Sequence, residues 1–282
     1  MKNILLKRTI TGALFVAIIV SCTLYSPLSF GTLFLIISAM TVYEFTNLIN
    51  NAEGVNINKI ITMLGAGYLF LAVMEYSINS ASLIVFVPYV LLLLYLLISE
   101  LYLKRTSPLL NWAYAMLSQL YIALPFSMLN ILTFHYNKMD NSVEFNSILP
   151  LSIFLFIWAN DTGAYCIGSL FGKHKLFERI SPHKTWEGFA GGAIFTIITA
   201  LILSYTSPFM TIFEWIGMAI TIVIFGTWGD LTESLLKRQI GVKDSGTFLP
   251  GHGGLLDRFD SALMAIPAAV IYLCIIQWAQ SL

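Results

Sequence analysis

Apolar residues in this chain come in long blocks separated by short polar or turn-forming punctuation, without the alternation expected of a half-buried helix or strand. A helix needs roughly 17 to 25 mostly apolar residues to cross a bilayer. Nine blocks meet that need, at residues 10–26, 28–49, 59–75, 82–99, 111–133, 148–168, 189–206, 211–228 and 262–279, with boundaries good to about four residues. Ser26-Pro27 breaks the first two into a tight hairpin, because proline removes a backbone donor and restricts the residue before it. Lys2, Lys7 and Arg8 ahead of a short apolar run resemble a signal peptide, and Ser21-Cys22 faintly resembles a lipoprotein cleavage site. The second apolar run follows at once, which favours a pair of spans.

Composition agrees with the pattern. Of 282 residues, 57% are hydrophobic and 11% charged, against about 25% charged in ordinary soluble domains. The expected fold is an all-α polytopic integral membrane protein of nine transmembrane helices. Fifteen Lys and Arg balance fifteen Asp and Glu, which argues against nucleic acid as a partner. Cys22, Cys166 and Cys274 lie far apart in apolar stretches, so they read as buried small hydrophobes and not as a disulfide framework or zinc site. With the N-terminus in the cytoplasm, fourteen of the fifteen basic residues fall on the cytoplasmic side and only Lys138 falls outside. That asymmetry sets the orientation and leaves the C-terminus extracytoplasmic. No soluble domain or internal repeat interrupts the scheme. Residues 1–147 form an N-terminal group of five spans and residues 148–282 a C-terminal group of four.

The charges cluster. Residues 160–188 and 229–261 hold sixteen of the thirty charged side chains, and both segments lie on the cytoplasmic side. In the later segment, Asp230, Glu233 and Lys237 share one helical face at i, i+3 and i+7. Gly241, Gly246, Gly251, Gly253 and Gly254 then permit the close backbone approach of a ligand-wrapping loop. Asp257, Arg258 and Asp260 open the ninth span. For Asp260, capping the helix and binding a ligand explain its position equally well. Asp230 and Asp257, set among Lys237, Arg238, Lys243 and Arg258, suit a magnesium ion bridging to a polyphosphate: magnesium takes one or two carboxylates plus phosphates and water, while the bases neutralise the remaining phosphate charge. His252 can contact a phosphate or a base edge, but lacks the partners a zinc ligand needs.

In the earlier segment, Asp161 lies inside the cytoplasmic end of the sixth span, where an ionisable residue marks either a functional site or a helix-packing contact. Gly168 to Lys173 fails the spacing of a phosphate loop. Ser181 is expected to cap a helix with Pro182 at its first position, so that free backbone donors and Lys184, next to Thr185 and Glu187, make an anion site. Glu44, at the end of the second span, joins this cluster or snorkels at the surface.

These residues resemble the phosphatidate cytidylyltransferase family. Its signature is matched without a gap by Ser234, Lys237, Arg238, Lys243, Asp244, His252, Gly253, Gly254, Asp257, Arg258 and Asp260. A second block runs from Asp-Thr-Gly-Ala-Tyr at Asp161 to Gly188, with His183 in place of the family's usual lysine. The resemblance covers the C-terminal half closely, whereas the first five spans match mainly in hydropathy. It implies transfer of CMP from CTP to phosphatidic acid, giving CDP-diacylglycerol and pyrophosphate, at a site facing the cytoplasm in the plasma membrane. Magnesium, a second, monovalent cation such as potassium, and a homodimer are implied as well. Asp230, Asp257, Lys237 and Arg258 carry the reaction in this reading, with Asp230 and Asp257 on the metal. Asp161, Ser181, Lys184, Thr185, Glu187, Arg238, Lys243, Asp244, His252, Gly253, Gly254 and Asp260 bind substrate. A CTP-dependent lipid-alcohol kinase is the alternative enzyme. A transporter, the alternative from another class, would need repeats or broken helices that the sequence does not show.

Overall fold

In a computed structural model, the structure describes residues 2–79, 82–137, 142–246 and 253–281. Helices dominate: α1 (Lys2–Tyr25), α2 (Pro27–Ile49), α3 (Lys59–Asn79), α4 (Val87–Leu103), α5 (Pro108–Ser118), α6 (Leu124–Thr133), α7 (Ile148–Phe171), α8 (Trp186–Thr206), α9 (Ile212–Ile240) and α10 (Leu256–Gln280). A π-turn at Gln119–Ala123 joins α5 to α6 in one rod; Pro125, which cannot donate to the preceding turn, follows it. Each apolar block falls on one of these rods. Among the described residues seven segments, α2, α3, the stretch ending in α4, α5 with α6, α8, α9 and α10, are long and apolar enough to cross a membrane by length and composition, and the chain is an all-α polytopic membrane protein.

Three expectations change. Two short antiparallel hairpins interrupt the helices, β1 (Phe134–Asn137) with β2 (Ser142–Phe145) and β3 (Lys175–Phe177) with β4 (Ser181–Thr185). Ser181 therefore does not cap a helix: it pairs with Phe177 in the second hairpin. The cap of α8 is Thr185, whose hydroxyl accepts from Gly188 N at 3.1 Å, because the chain stays extended through Pro182 and His183. Finally, α9 continues to Ile240, twelve residues beyond the apolar block that ends at 228, and carries Asp230, Glu233 and Lys237 on one helix.

The chain divides into two compact units. The first comprises residues 1–147 with 240–259, the second residues 148–239 with 260–282. In the first, Ser26 and Ser29 cap α2 reciprocally at 3.1 Å with Pro27 at its first position, which makes the sharp turn out of α1. Its core stacks Phe30 on Phe34, with ring centroids 4.9 Å apart, and Phe126 edge-on to Phe259 at 5.2 Å. Polar side chains join its helices: Gln119 donates to Thr62 O at 3.0 Å and Asn130 to Phe70 O at 3.2 Å. Between apolar helices in lipid, such bonds and close packing hold elements together in place of a hydrophobic drive.

In the second unit, α7 and α8 form the most extensive helix pair. Glycines set their separation: a Cβ at Gly163 would stand 2.7 Å from Gly191 O, and one at Gly168 would stand 3.3 Å from Gly188 Cα. Backbone thus meets backbone, as small residues allow at membrane helix interfaces. Trp215 of α9 is fully buried against Phe156 of α7, with ring centroids 6.2 Å apart. Tyr272 of α10 donates to Glu214 O of α9 at 2.9 Å.

Candidate active site

Within the second unit, one face of α7 lines a cleft of about 540 Å³, a size typical of sites for ligands of about 300–1,000 Å³. Its α7 wall runs from Asn160 and Asp161 through Ala164, Tyr165, Gly168 and Ser169 to Gly172, which is about 18 Å at 1.5 Å per residue. The hairpin β3–β4 contributes Lys175, Leu176, His183, Lys184 and Thr185; α8 adds Gly188 and Phe189, α9 adds Thr227 and Asp230, and α10 adds Ser261. The glycine-set closeness of α7 and α8 leaves room where larger side chains would stand. A Cβ at Gly172 would meet Thr185 Oγ1 at 2.8 Å.

Charge concentrates on one side of this cleft. Lys184 Nζ lies 2.5 Å from Asp230 Oδ2, and Ser234, one turn further along α9, donates to Asp230 Oδ1 at 3.2 Å. Asp161 lies within electrostatic reach of Asp230 and Lys184, and Asp260 within reach of Asp230, Glu233 and Asp161. Asp260 also accepts from Ser261 N at 2.6 Å, so its carboxylate both touches its own helix backbone and faces the acidic group. Asn160 is 9% exposed and its Oδ1 is buried without a hydrogen-bond partner. The second unit therefore brings together Asp161, Lys184, Thr185, Asp230 and Asp260, residues drawn from two segments about seventy positions apart.

It treats Glu187 and Ser181 differently. Neither lines the cleft. Glu187 accepts from Lys173 N at 3.1 Å and His174 N at 3.2 Å and pairs with His174 Nδ1 at 2.6 Å. It ties the base of the β3–β4 hairpin to the start of α8. Lys237 lies 2.6 Å from Glu233 one turn back on α9, and Arg238 follows on the exposed face.

The first unit holds the rest of the signature. Lys243 and Asp244 are exposed, as is Arg258; His252 lies outside the described residues. Asp257 accepts from Ser245 N at 3.0 Å and Gly254 N at 2.9 Å, and Gly253 beside it has φ +82°, a conformation that favours glycine. Glu44 of α2 accepts from Leu255 N at 2.9 Å, Leu256 N at 3.1 Å and the Ser245 hydroxyl. A Cβ at Gly246 would stand 2.9 Å from its carboxyl carbon. Two carboxylates thus gather the free N–H groups at the entry to α10, as carboxylates do at helix N-termini. The sequence hinted at Glu44 only by its place at the end of the second span, and nothing in it paired Glu44 with the glycine-rich loop two hundred residues later. Lys175 and the glycines of α7 and α8 also went unassigned. The recurrence of Gly163, Gly168 and Gly172 against Gly188, Gly191 and Gly192 was the available signal.

Among the described residues, no three His, Cys, Asp or Glu side chains gather into a set that would hold a metal ion by themselves. The oxygen donors in the cleft fit magnesium nonetheless, because that ion is held by one or two carboxylates and completes its shell with substrate phosphates and water.

The model of the cytidylyltransferase family matches residues 6–276. A phosphatidate cytidylyltransferase of Staphylococcus aureus (strain COL) is 41% identical over 162 residues, covering 57% of this chain and 58% of that protein. Proteins of the same name from Staphylococcus saprophyticus and Staphylococcus haemolyticus are 52% and 50% identical over 125 residues, 44% of this chain and 48% of each relative. The matched stretch spans about half the length of these curated relatives. Matched along nearly its whole length by the family model, the chain belongs to the cytidylyltransferase family.

Proposed function

We propose that the protein transfers CMP from CTP to phosphatidic acid, yielding CDP-diacylglycerol and pyrophosphate in phospholipid synthesis. The observation that carries this reading is the cleft of the second unit, where Lys184 of the hairpin is paired to Asp230 near Asp161, beside α8 and α9, which are long and apolar enough to cross a membrane. A phosphate oxygen of phosphatidate attacks the α-phosphorus of CTP; the bond from that phosphorus to the α–β bridging oxygen breaks, and pyrophosphate leaves. The attacking oxygen is anionic near neutral pH, so no strong general base is needed. Lys184 and Lys175 offset phosphate charge in the cleft, His183 donates to a phosphate oxygen, and the Thr185 hydroxyl and the first turn of α8 present donors at the same wall. Lys237, Arg238, Lys243 and Arg258 supply further positive charge, and Asp244 and the backbone at Gly253 and Gly254 contact nucleotide.

Asp161 and Asp230 are suited to holding magnesium, and the sequence pattern assigns Asp257 to the same ion. Bound there, magnesium would neutralise the charge that develops as pyrophosphate departs. A monovalent cation and a homodimer are proposed on the family resemblance alone. The distribution of basic residues supports nine spans, a cytoplasmic N-terminus, an extracytoplasmic C-terminus and a cytoplasm-facing site in the plasma membrane.

The decisive experiment incubates purified protein with phosphatidate, magnesium and CTP labelled at the α or the γ phosphate. Lipid labelled only from the α position is the expected result. Label arriving only from the γ position would make the protein a lipid kinase, and none from either position would remove the proposal.

A further inference from the structure

The β3–β4 hairpin has surface features that cleft lining does not require. It connects the end of α7 to the start of α8, and large apolar side chains surround its base: Leu170 is 74% exposed, Phe171 62% and Trp186 56%, with Phe177 on the hairpin itself 48% exposed. Lys173, Lys175 and Arg179 are exposed on the same short segment. Among the described residues none of the three takes part in an ion pair. The Glu187 carboxylate is turned to His174 and the backbone at 173–174, and Lys184 is turned to Asp230. Glu178 is the one other carboxylate between Lys173 and Thr185, so the hairpin carries excess positive charge.

Exposed aromatic and aliphatic side chains at the end of a helix that crosses a membrane lie at the level of the lipid interface, and α8 is long and apolar enough to cross one. Bases at that level are attracted by anionic headgroups, each contributing about fivefold in local binding. A soluble nucleotide would explain the bases but not the apolar side chains around them; a lipid explains both, with its phosphate on the cations and its acyl chains against Leu170, Phe171 and Phe177. Lys175 and Leu176 belong to the hairpin and to the cleft wall at once. A headgroup held on the hairpin is therefore next to the cleft.

We propose that the β3–β4 hairpin is a docking surface for anionic glycerophospholipid headgroups, which gathers phosphatidate at the cleft. Its role in catalysis rests on the proposed reaction, whereas its preference for anionic lipid does not. The test uses the double variant Lys173→Glu, Arg179→Glu in the full-length protein, since neither residue lines the cleft. Native mass spectrometry in neutral detergent, titrating phosphatidylglycerol against phosphatidylcholine, should show the wild type favouring the anionic lipid and the variant losing that preference by at least fivefold. In mixed micelles the KM for phosphatidate should rise at least fivefold, with kcat and the KM for CTP within twofold. Phe177→Ser, which leaves the charge intact, should raise the phosphatidate KM by about threefold, and it keeps the test open should the charge-reversed protein fold poorly. An unchanged lipid preference would overturn the proposal, as would a rise in the CTP KM in place of the phosphatidate KM. Loss of preference in the variant of a protein that transfers no CMP would sustain the docking surface and remove the reaction.

Discussion

Glu44 and Glu100 in the first unit and Asp161 and Asp230 in the second are all carboxylates on apolar helices, yet they are used in opposite ways. Glu44 accepts from three donors around the entry to α10. Glu100, 6% exposed, accepts from Arg105 at 2.7 Å and Asn111 at 2.9 Å. Both are held by donors of their own unit and act as struts. Asp161 and Asp230 line an open cleft, where the ammonium of Lys184 is paired to Asp230. Membrane depth alone therefore does not identify a reactive carboxylate; its partners do.

The largest test of that contrast is Asp230→Asn. It should lower kcat about a thousandfold, the scale of losing a principal electrostatic element of a transition state, while the protein elutes as a single folded species from size exclusion. Wild-type turnover in this variant would remove Asp230 from the reaction.

Gly191→Leu comes next, because even a Cβ there would overlap Ile167. Forcing α7 and α8 apart should destabilise the protein by about 1–3 kcal/mol and cut activity at least tenfold. Thermal unfolding in detergent and the label-transfer assay read the two effects separately.

Glu44→Gln sharpens the contrast from the other side. It replaces an acceptor-only carboxylate by an amide whose NH2 cannot serve the Leu255 and Leu256 N–H groups, a cost of about 1–3 kcal/mol for a buried donor left unpaired. Thermal stability should fall, with activity reduced about tenfold through the loop that Asp257 also holds. A thousandfold loss of activity at unchanged stability would erase the distinction between strut and reactant.

The smallest effect is expected at His183, exposed at the cleft wall. His183→Lys should change kcat/KM for CTP by less than about threefold, since both side chains present a donor to phosphate. A larger change would give the imidazole a role of its own.

Much of this was legible before any coordinates. The apolar blocks located the helical rods because a bilayer-spanning helix must satisfy its backbone internally and present apolar side chains outward. The signature residues stand out in the sequence because their charges are costly in such a chain. The turn at Ser26-Pro27 followed from local backbone chemistry. Ser181 was misjudged for the same local reason: Ser-Pro is a good helix start in isolation, but pairing with Phe177 keeps the chain extended until Thr185.

What the sequence by itself determined is the class of protein and where its apolar helices and charged segments lie, since these depend on composition and short-range spacing. Only the tertiary structure decided which of those residues share a cleft. Asp161 comes within electrostatic reach of Asp230, glycines let α7 and α8 pack backbone to backbone, and Lys184 reaches from the hairpin to Asp230 on α9. Glu44 became a strut for a loop two hundred residues away for an equally non-local reason: unpaired N–H groups at the start of α10 required an acceptor, and α2 supplied it.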